Sequence, residues 1–270
     1  NTSTMIPDQQ FLSQEQVATT VLTLSDDDQA KILNGKIIPG DRVFYPVKPH
    51  IASTVPKVEK NNLDGKNVFI TYDDDDEDQR VNSLTSMIKA EGGKASITRA
   101  TWDITDSKEA SGADLFIHFT GNVPNFSKLT ELTRYEWNNL VDKFINTPAL
   151  ATQTAIEYFV PGGSDDPRKF KDAKGRIIIV GPALPSGKKI SGHERAKVEV
   201  FRGLLRPFVT TVNQELSDVL KSNVRVFLIL PGTVDGKEPN DENIVNTINY
   251  LVSDEAGSSS EVIFCPDETR

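Results

Sequence analysis

Cysteine is nearly absent from this 270-residue chain, where Cys265 stands alone. A lone thiol cannot close an internal disulfide and fits a reducing compartment, so the chain is read as cytoplasmic. Histidine is scarce as well: three residues, widely spaced, which argues against a zinc site. No apolar run approaches the ~18–20 residues of a membrane span, so no membrane partner is expected. Basic residues are in deficit, 30 against 39 acidic, for a net charge of −9. Phosphate contacts need lysine and arginine in excess, so no nucleic-acid partner is expected either. The start, Asn1-Thr-Ser-Thr-Met5, has neither the basic region nor the apolar core of a secretory signal. It also begins without Met and reads as an internal piece of a longer chain. What remains is ordinary globular composition, 37% hydrophobic and 26% charged. Much of the acidity sits in two runs, Asp26-Asp27-Asp28 and Asp73-Asp74-Asp75-Asp76-Glu77-Asp78.

Periodicity divides the chain. Residues 13–24 place Val17, Val21, Leu22 and Leu24 at helical spacing behind Ser13 as an N-cap. Asn34-Gly35 signals a turn before the short apolar run Lys36-Ile-Ile38. Residues 46–62, with three prolines and Asn61-Asn62, read as a linker. From residue 63 apolar strands alternate with helices. Strands are expected at Asn67–Thr71, Lys94–Thr98, Ala113–Phe119, Arg176–Val180, Val224–Leu230 and Glu261–Cys265. Helices are expected at Arg80–Glu91, Thr130–Phe159 (kinked at Pro148), Glu194–Leu220 (bent at Pro207) and Asp241–Val252. This alternation implies a parallel sheet covered on both faces. Ligands of such sheets bind at the carboxyl ends of the strands.

Two segments echo one another. Ser13–Ile38 and Asn240–Phe264 both read as a helix, a Leu, a Ser-Asp turn and a closing strand. Residues 1–45 then read as the tail of one domain and 63–270 as a nearly whole second copy.

The order of elements resembles a short-chain dehydrogenase/reductase over about 60–266. Gly65-Lys-Asn-Val-Phe-Ile-Thr71 is similar to that family's opening strand, and Thr120-Gly121-Asn122 sits where its Asn-Ala-Gly turn would be. Gly175-Arg-Ile-Ile-Ile-Val-Gly181 resembles the strand that carries the active-site Ser, and Arg225–Gly232 the strand ending in Pro-Gly. Leu251-Val-Ser-Asp-Glu-Ala256 resembles the stretch before the last strand. Residues 13–41 resemble the same family's C-terminal stretch. The resemblance implies a Rossmann-like α/β three-layer sandwich with a mostly parallel sheet.

It also implies chemistry that these residues depart from. The family binds a dinucleotide pyrophosphate on a glycine-rich turn at a helix N-terminus, where backbone N–H groups can approach the phosphates. Here that turn is Tyr72–Asp78, without glycine and with six consecutive carboxylates. Each would repel a phosphate by about 1 kcal/mol at ~4 Å even in water. No calcium-loop spacing accompanies them, so no metal is assigned. The family's acid–base pair is a Ser and a Tyr, with a Lys four residues after the Tyr. The Ser position falls near Gly181-Pro182, and no Tyr lies between Tyr158 and Tyr250. His193 and Lys197 keep the Tyr-Lys spacing and read as a surface pair near a helix start. Aligning on Gln214-Glu215-Leu216 puts Val198 and Arg202 at the pair instead. No catalytic, cofactor-binding or metal-binding residue is therefore assigned.

The remaining candidates read as structural. Ser186-Gly-Lys-Lys189 lacks the upstream glycine of a phosphate loop. His118 reads as a core histidine with its nitrogens satisfied, Trp102 and Trp137 as packing residues, Ser258–Ser260 as a loop, and Cys265 as buried and inert. The stretch from Thr98 to Gly112 is too short for the family's crossover helix.

The layout of domain tail, proline-containing linker and degenerate domain resembles bifunctional malonyl-CoA reductases. In these, intact and degenerate short-chain reductase domains alternate. The resemblance implies a non-catalytic domain with a structural role beside a preceding reductase domain of the same chain. NADPH is expected in that neighbour and no cofactor in this segment. The parent reaction would reduce malonyl-CoA toward malonate semialdehyde or 3-hydroxypropionate, and the long helices would form a homodimer. The alternatives are the degenerate domain of a high-molecular-weight ketoacyl reductase, or a stand-alone binding module that has lost reductase activity.

Overall fold

The computed structural model describes residues 13–28, 31, 60–73, 78–100, 110, 112–124, 128–160, 167–184, 192–232, 241–258 and 261–266. The expected turn at Asn34-Gly35, the strand at 36–38, Trp102, the shortened crossover and Ser186–Lys189 lie outside these residues. The chain divides into two compact units, Asn1–Ile51 and Ala52–Arg270.

In the first unit, helix α1 spans Gln14–Leu24. Its apolar side chains are open to solvent: Val17 is 48%, Val21 60% and Leu24 42% exposed.

The second unit is built on one six-stranded sheet of order β2-β1-β3-β4-β5-β6. The strands are β1 (Asn67–Tyr72), β2 (Lys94–Arg99), β3 (Leu115–Phe119), β4 (Lys174–Val180), β5 (Asn223–Ile229) and β6 (Ile263–Phe264). Every pairing is parallel. The helices are α2 (Asp78–Ala90), α3 (Arg134–Val141), α4 (Thr147–Phe159), α5 (Gly192–Gln214), α6 (Asp241–Leu251) and α7 (Asp254–Ser258).

Alternation along each strand sorts the core into two layers. Val68, Ile70, Leu115, Ile117, Ile178 and Phe227 pack against Leu84 and Ile88 of α2 and Ile244 and Ile248 of α6. Phe69, Phe116, Ile177, Ile179, Val226 and Leu228 face Ala151 and Ala155 of α4 and Leu205 and Val209 of α5. The result is the expected three-layer sandwich with helices on both faces. No described helix is long and apolar enough to cross a membrane.

Three local expectations need correction. The long helix does not simply kink at Pro148. A π-helical turn, Asp142–Asn146, intervenes, with the Thr147 N–H reaching back to the Asp142 carbonyl. The wider turn places Pro148 in the first turn of α4, where its missing N–H and fixed φ fit. Helix α5 holds Pro207 inside it and ends at Gln214, and the rest of the span expected as helix to Leu220 is a second π-helical turn, Glu215–Val219. Ser258 ends the short helix α7 rather than lying in a loop.

Residues at the start of the second unit are held tightly. Leu63 is fully buried, and the Asn62 N–H donates to Asn249 Oδ1 at 2.7 Å. The Asn61 amide donates to the Glu91 carbonyl at 2.6 Å. Gly92, at φ +85°, lies so close to Asp64 that a Cβ there would sit 2.4 Å from Asp64 Oδ1.

Candidate functional site

In a parallel sheet of this order, ligands approach the carboxyl edge where β1 meets β3. The chain leaves β1 at Tyr72 and enters α2 at Asp78, so the acidic run forms that connection. By sequence this connection has no glycine and six carboxylates, and its residues 74–77 lie outside the described residues.

At this edge the backbone ladder continues past the strands. The Thr120 N–H donates to the Val180 carbonyl at 3.0 Å, Gly181 to Ile229 at 2.8 Å and Leu230 to Phe264 at 2.8 Å. Beyond β3 the chain turns at Gly121, φ +74°. Gly181, at the expected Ser position, has no room for a side chain: a Cβ would sit 2.8 Å from Leu230 Cδ2.

Helix α5 carries both candidate registers for the acid–base pair, of which Val198 and Arg202 come from aligning on Gln214-Glu215-Leu216. Val198 is 6% exposed, apolar and without a transferable proton. Arg202, one turn on, is fully buried. Its Nη1 donates to the carbonyls of Pro182 at 2.9 Å and Pro231 at 2.7 Å. The guanidinium thus bridges the segments that follow β4 and β5. Glu199, half-buried beside it, lies 3.6 Å from Arg202 Nε, 3.5 Å from Arg206 Nη2 and 3.8 Å from Arg195 Nε. One carboxylate balances a stripe of three arginines along the helix.

The alternative pair departs from its surface reading. Lys197 is buried, only 8% exposed. His193 lies in the first turn of α5.

His118 is buried on the central strand β3, in register with Thr71 of β1. Its Nδ1 shares a 2.9 Å hydrogen bond with Thr71 Oγ1. Its Nε2 has no partner among the described residues, so the ring is only half satisfied, contrary to expectation. The reason is position: the α4 and α5 side of the sheet here is apolar. Burial pushes the imidazole pKa down to about 3, so it stays neutral and suits neither proton transfer near neutrality nor anion binding. Cys265 is buried, as expected. Trp137 packs its ring 6.0 Å from Phe201, which stacks 4.9 Å from Phe144 beside Leu140. This bears out the reading of Trp137 as a packing residue, on the helical stripe it shares with Leu140 and Phe144. No group of His, Cys, Asp and Glu among the described residues could hold a metal ion.

No family model matches the chain, and no curated protein matches it by sequence. Solved structures do match it by shape. A short-chain dehydrogenase of Leptospira borgpetersenii with bound NAD+ aligns over 82% of this chain and 98% of its own, at 17% identity and a TM-score of 0.55. A double variant of a Serratia marcescens short-chain dehydrogenase/reductase covers 76% and 96%, at 16% identity and a TM-score of 0.53. The hydroxysteroid dehydrogenase of Escherichia coli covers 77% and 98%, at 15% identity and a TM-score of 0.52. The fold is that of the short-chain dehydrogenase/reductases.

Proposed function

We propose that residues 63–270 form a non-catalytic short-chain-reductase domain that serves assembly rather than hydride transfer. The observation that carries this reading is the pair Val198 and Arg202. Where an acid–base side chain and a free cation are needed, the helix offers an apolar group and a guanidinium committed to two backbone carbonyls. The acidic connection Asp73–Asp78 supports it, since it opposes a pyrophosphate.

The neighbour served is a reductase domain preceding this segment in the same chain, NADPH-dependent and acting on an acyl-CoA thioester of the malonyl-CoA type. Support comes from α1 and α6. Set 227 residues apart, Val17, Ala18, Val21 and Leu24 fall on Ile244, Val245, Ile248 and Leu251. The α6 residues are 0–4% exposed against the sheet, while Val17, Val21 and Leu24 stand open. Helix α1 has the stripe of a sheet-covering helix, and the sheet that would take it is that of the preceding domain. The same reading makes the protein a homodimer through α3–α4 and α5, where Tyr135 is 75% and Leu204 42% exposed.

Thermal unfolding of the whole chain with NADPH and with NADH tests the central point. A ligand bound to the native state must raise the melting temperature. No rise is expected with either dinucleotide, and a clear concentration-dependent rise would overturn the reading.

A further inference from the structure

The face of the sheet that carries α2 and α6 holds an unusual pair at its amino edge, the end opposite the dinucleotide crevice. Arg176 of β4 and Arg225 of β5 are in register. Their parity with Ile178 and Phe227 puts both side chains on that face, on strands about 4.8 Å apart. Both are half-buried. Like charges directly opposite one another on adjacent strands oppose folding.

The surroundings do not cancel this charge. Arg176 Nη1 donates to the carbonyls of Gly175 and Asn223, both at 3.2 Å. Its Nε is buried without a hydrogen-bond partner among the described residues. The side chain of Arg225 makes no hydrogen bond or ion pair among them. Asp254 at the start of α7 acts on Arg176 through space but forms no ion pair with either arginine. Burial first, and the charge of Arg225 second, hold the Arg176 guanidinium below its usual range, as expected of two cations sharing one recess. The recess is also shaped. Gly257 of α7 lies against the guanidinium so closely that a Cβ there would meet Arg176 Nη2 at 2.2 Å. A side chain at 257 would push the fork out of place.

Two arginines in register on the same face, each with unused guanidinium donors, suit the oxygens of a tetrahedral oxyanion. We propose that Arg176 and Arg225, closed over by Gly257, bind a phosphate group at the amino edge of the sheet, as free phosphate or as a phosphate monoester. The proposal does not depend on whether the carboxyl edge takes a dinucleotide, since the two sites lie at opposite ends of the strands.

Melting temperatures of the full chain against inorganic phosphate and against phenyl phosphate, with sodium chloride at matched ionic strength as reference, test it. Above the dissociation constant, phosphate raises the melting temperature by about 3–5 °C per tenfold in concentration. Arg225→Gln removes that response, and without phosphate it melts no lower than the wild type, because the repulsion is gone. This variant breaks no bond among the described residues and keeps the test valid where Arg176→Gln fails to fold. A response to both probes assigns a monoester site, and a response to inorganic phosphate alone assigns the free ion. A response matched by chloride, or one that persists in Arg225→Gln, overturns the proposal.

Discussion

Two buried polar side chains hold opposite commitments. His118 is kept neutral by its surroundings, so acid works against the fold. The unfolded chain takes up a proton near pH 6.5 and the folded one only near 3, so the stability is fully present above pH 6.5 and is lost as pH falls toward 3. At pH 5 the loss is about 2 kcal/mol. Urea unfolding at pH 7 and pH 5 should show this difference in the wild type and little of it in His118→Asn. Arg202 is committed instead to hydrogen bonds with the carbonyls of Pro182 and Pro231. Arg202→Met strands those carbonyls and should cost about 3 kcal/mol or more in urea unfolding. Arg202→Lys should recover less than half of it, because an ammonium offers no planar fork to bridge two acceptors. The buried state of this arginine was not legible in the sequence. A charged residue on an amphipathic helix reads as solvent-facing, and only the strand ends it meets show otherwise.

The elements were the most legible part. Continuous apolar runs such as Ile177-Ile-Ile-Val180 and Val226-Phe-Leu-Ile229 announce strands buried on both faces, and they are so placed. The long helix was less legible because proline suggests a kink, while the chain spreads the distortion over five residues of π-helix. Its beginning is better defined. Thr133 accepts from the Glu136 N–H at 3.2 Å, and the Glu136 carboxylate accepts from the Thr133 N–H at 2.8 Å. Hydrogen bonds from Thr133 hold the Glu136 carboxyl below the usual carboxylate range. Thr133→Ala should lower stability by about 1 kcal/mol in urea unfolding. Helices α1 and α6, similar in sequence pattern, should respond unequally to the same change. Ile248→Ala opens a cavity against the sheet and should cost about 2–5 kcal/mol. Val21→Ala, at the matching position of α1, should stay within about 0.5 kcal/mol. An equal loss at both positions would mean that α1 is already covered by a partner in solution.

At the scale of the molecule, fold and chemistry part company. The short-chain reductase layout is carried by strand and helix order, which survives at 15–17% identity to its structural neighbours. A catalytic site depends on a few side chains, which strand and helix order alone does not fix. The absence of Tyr between residues 158 and 250 could be read directly, because no alignment register can restore it. The Arg176 and Arg225 pair could not, because nothing in either strand's own sequence says that the two will lie side by side.

The strand order also bears on how the chain is made. After β2 has paired with one side of β1, each later strand joins on the other side in the order of its synthesis: β3, β4, β5, then β6. No later segment has to insert between strands already paired. A ribosome releasing this chain could therefore extend the sheet one strand at a time, each new strand meeting a finished edge. The exposed interval is limited to whichever strand is newest, which matters for a parallel sheet whose distant pairings otherwise form slowly.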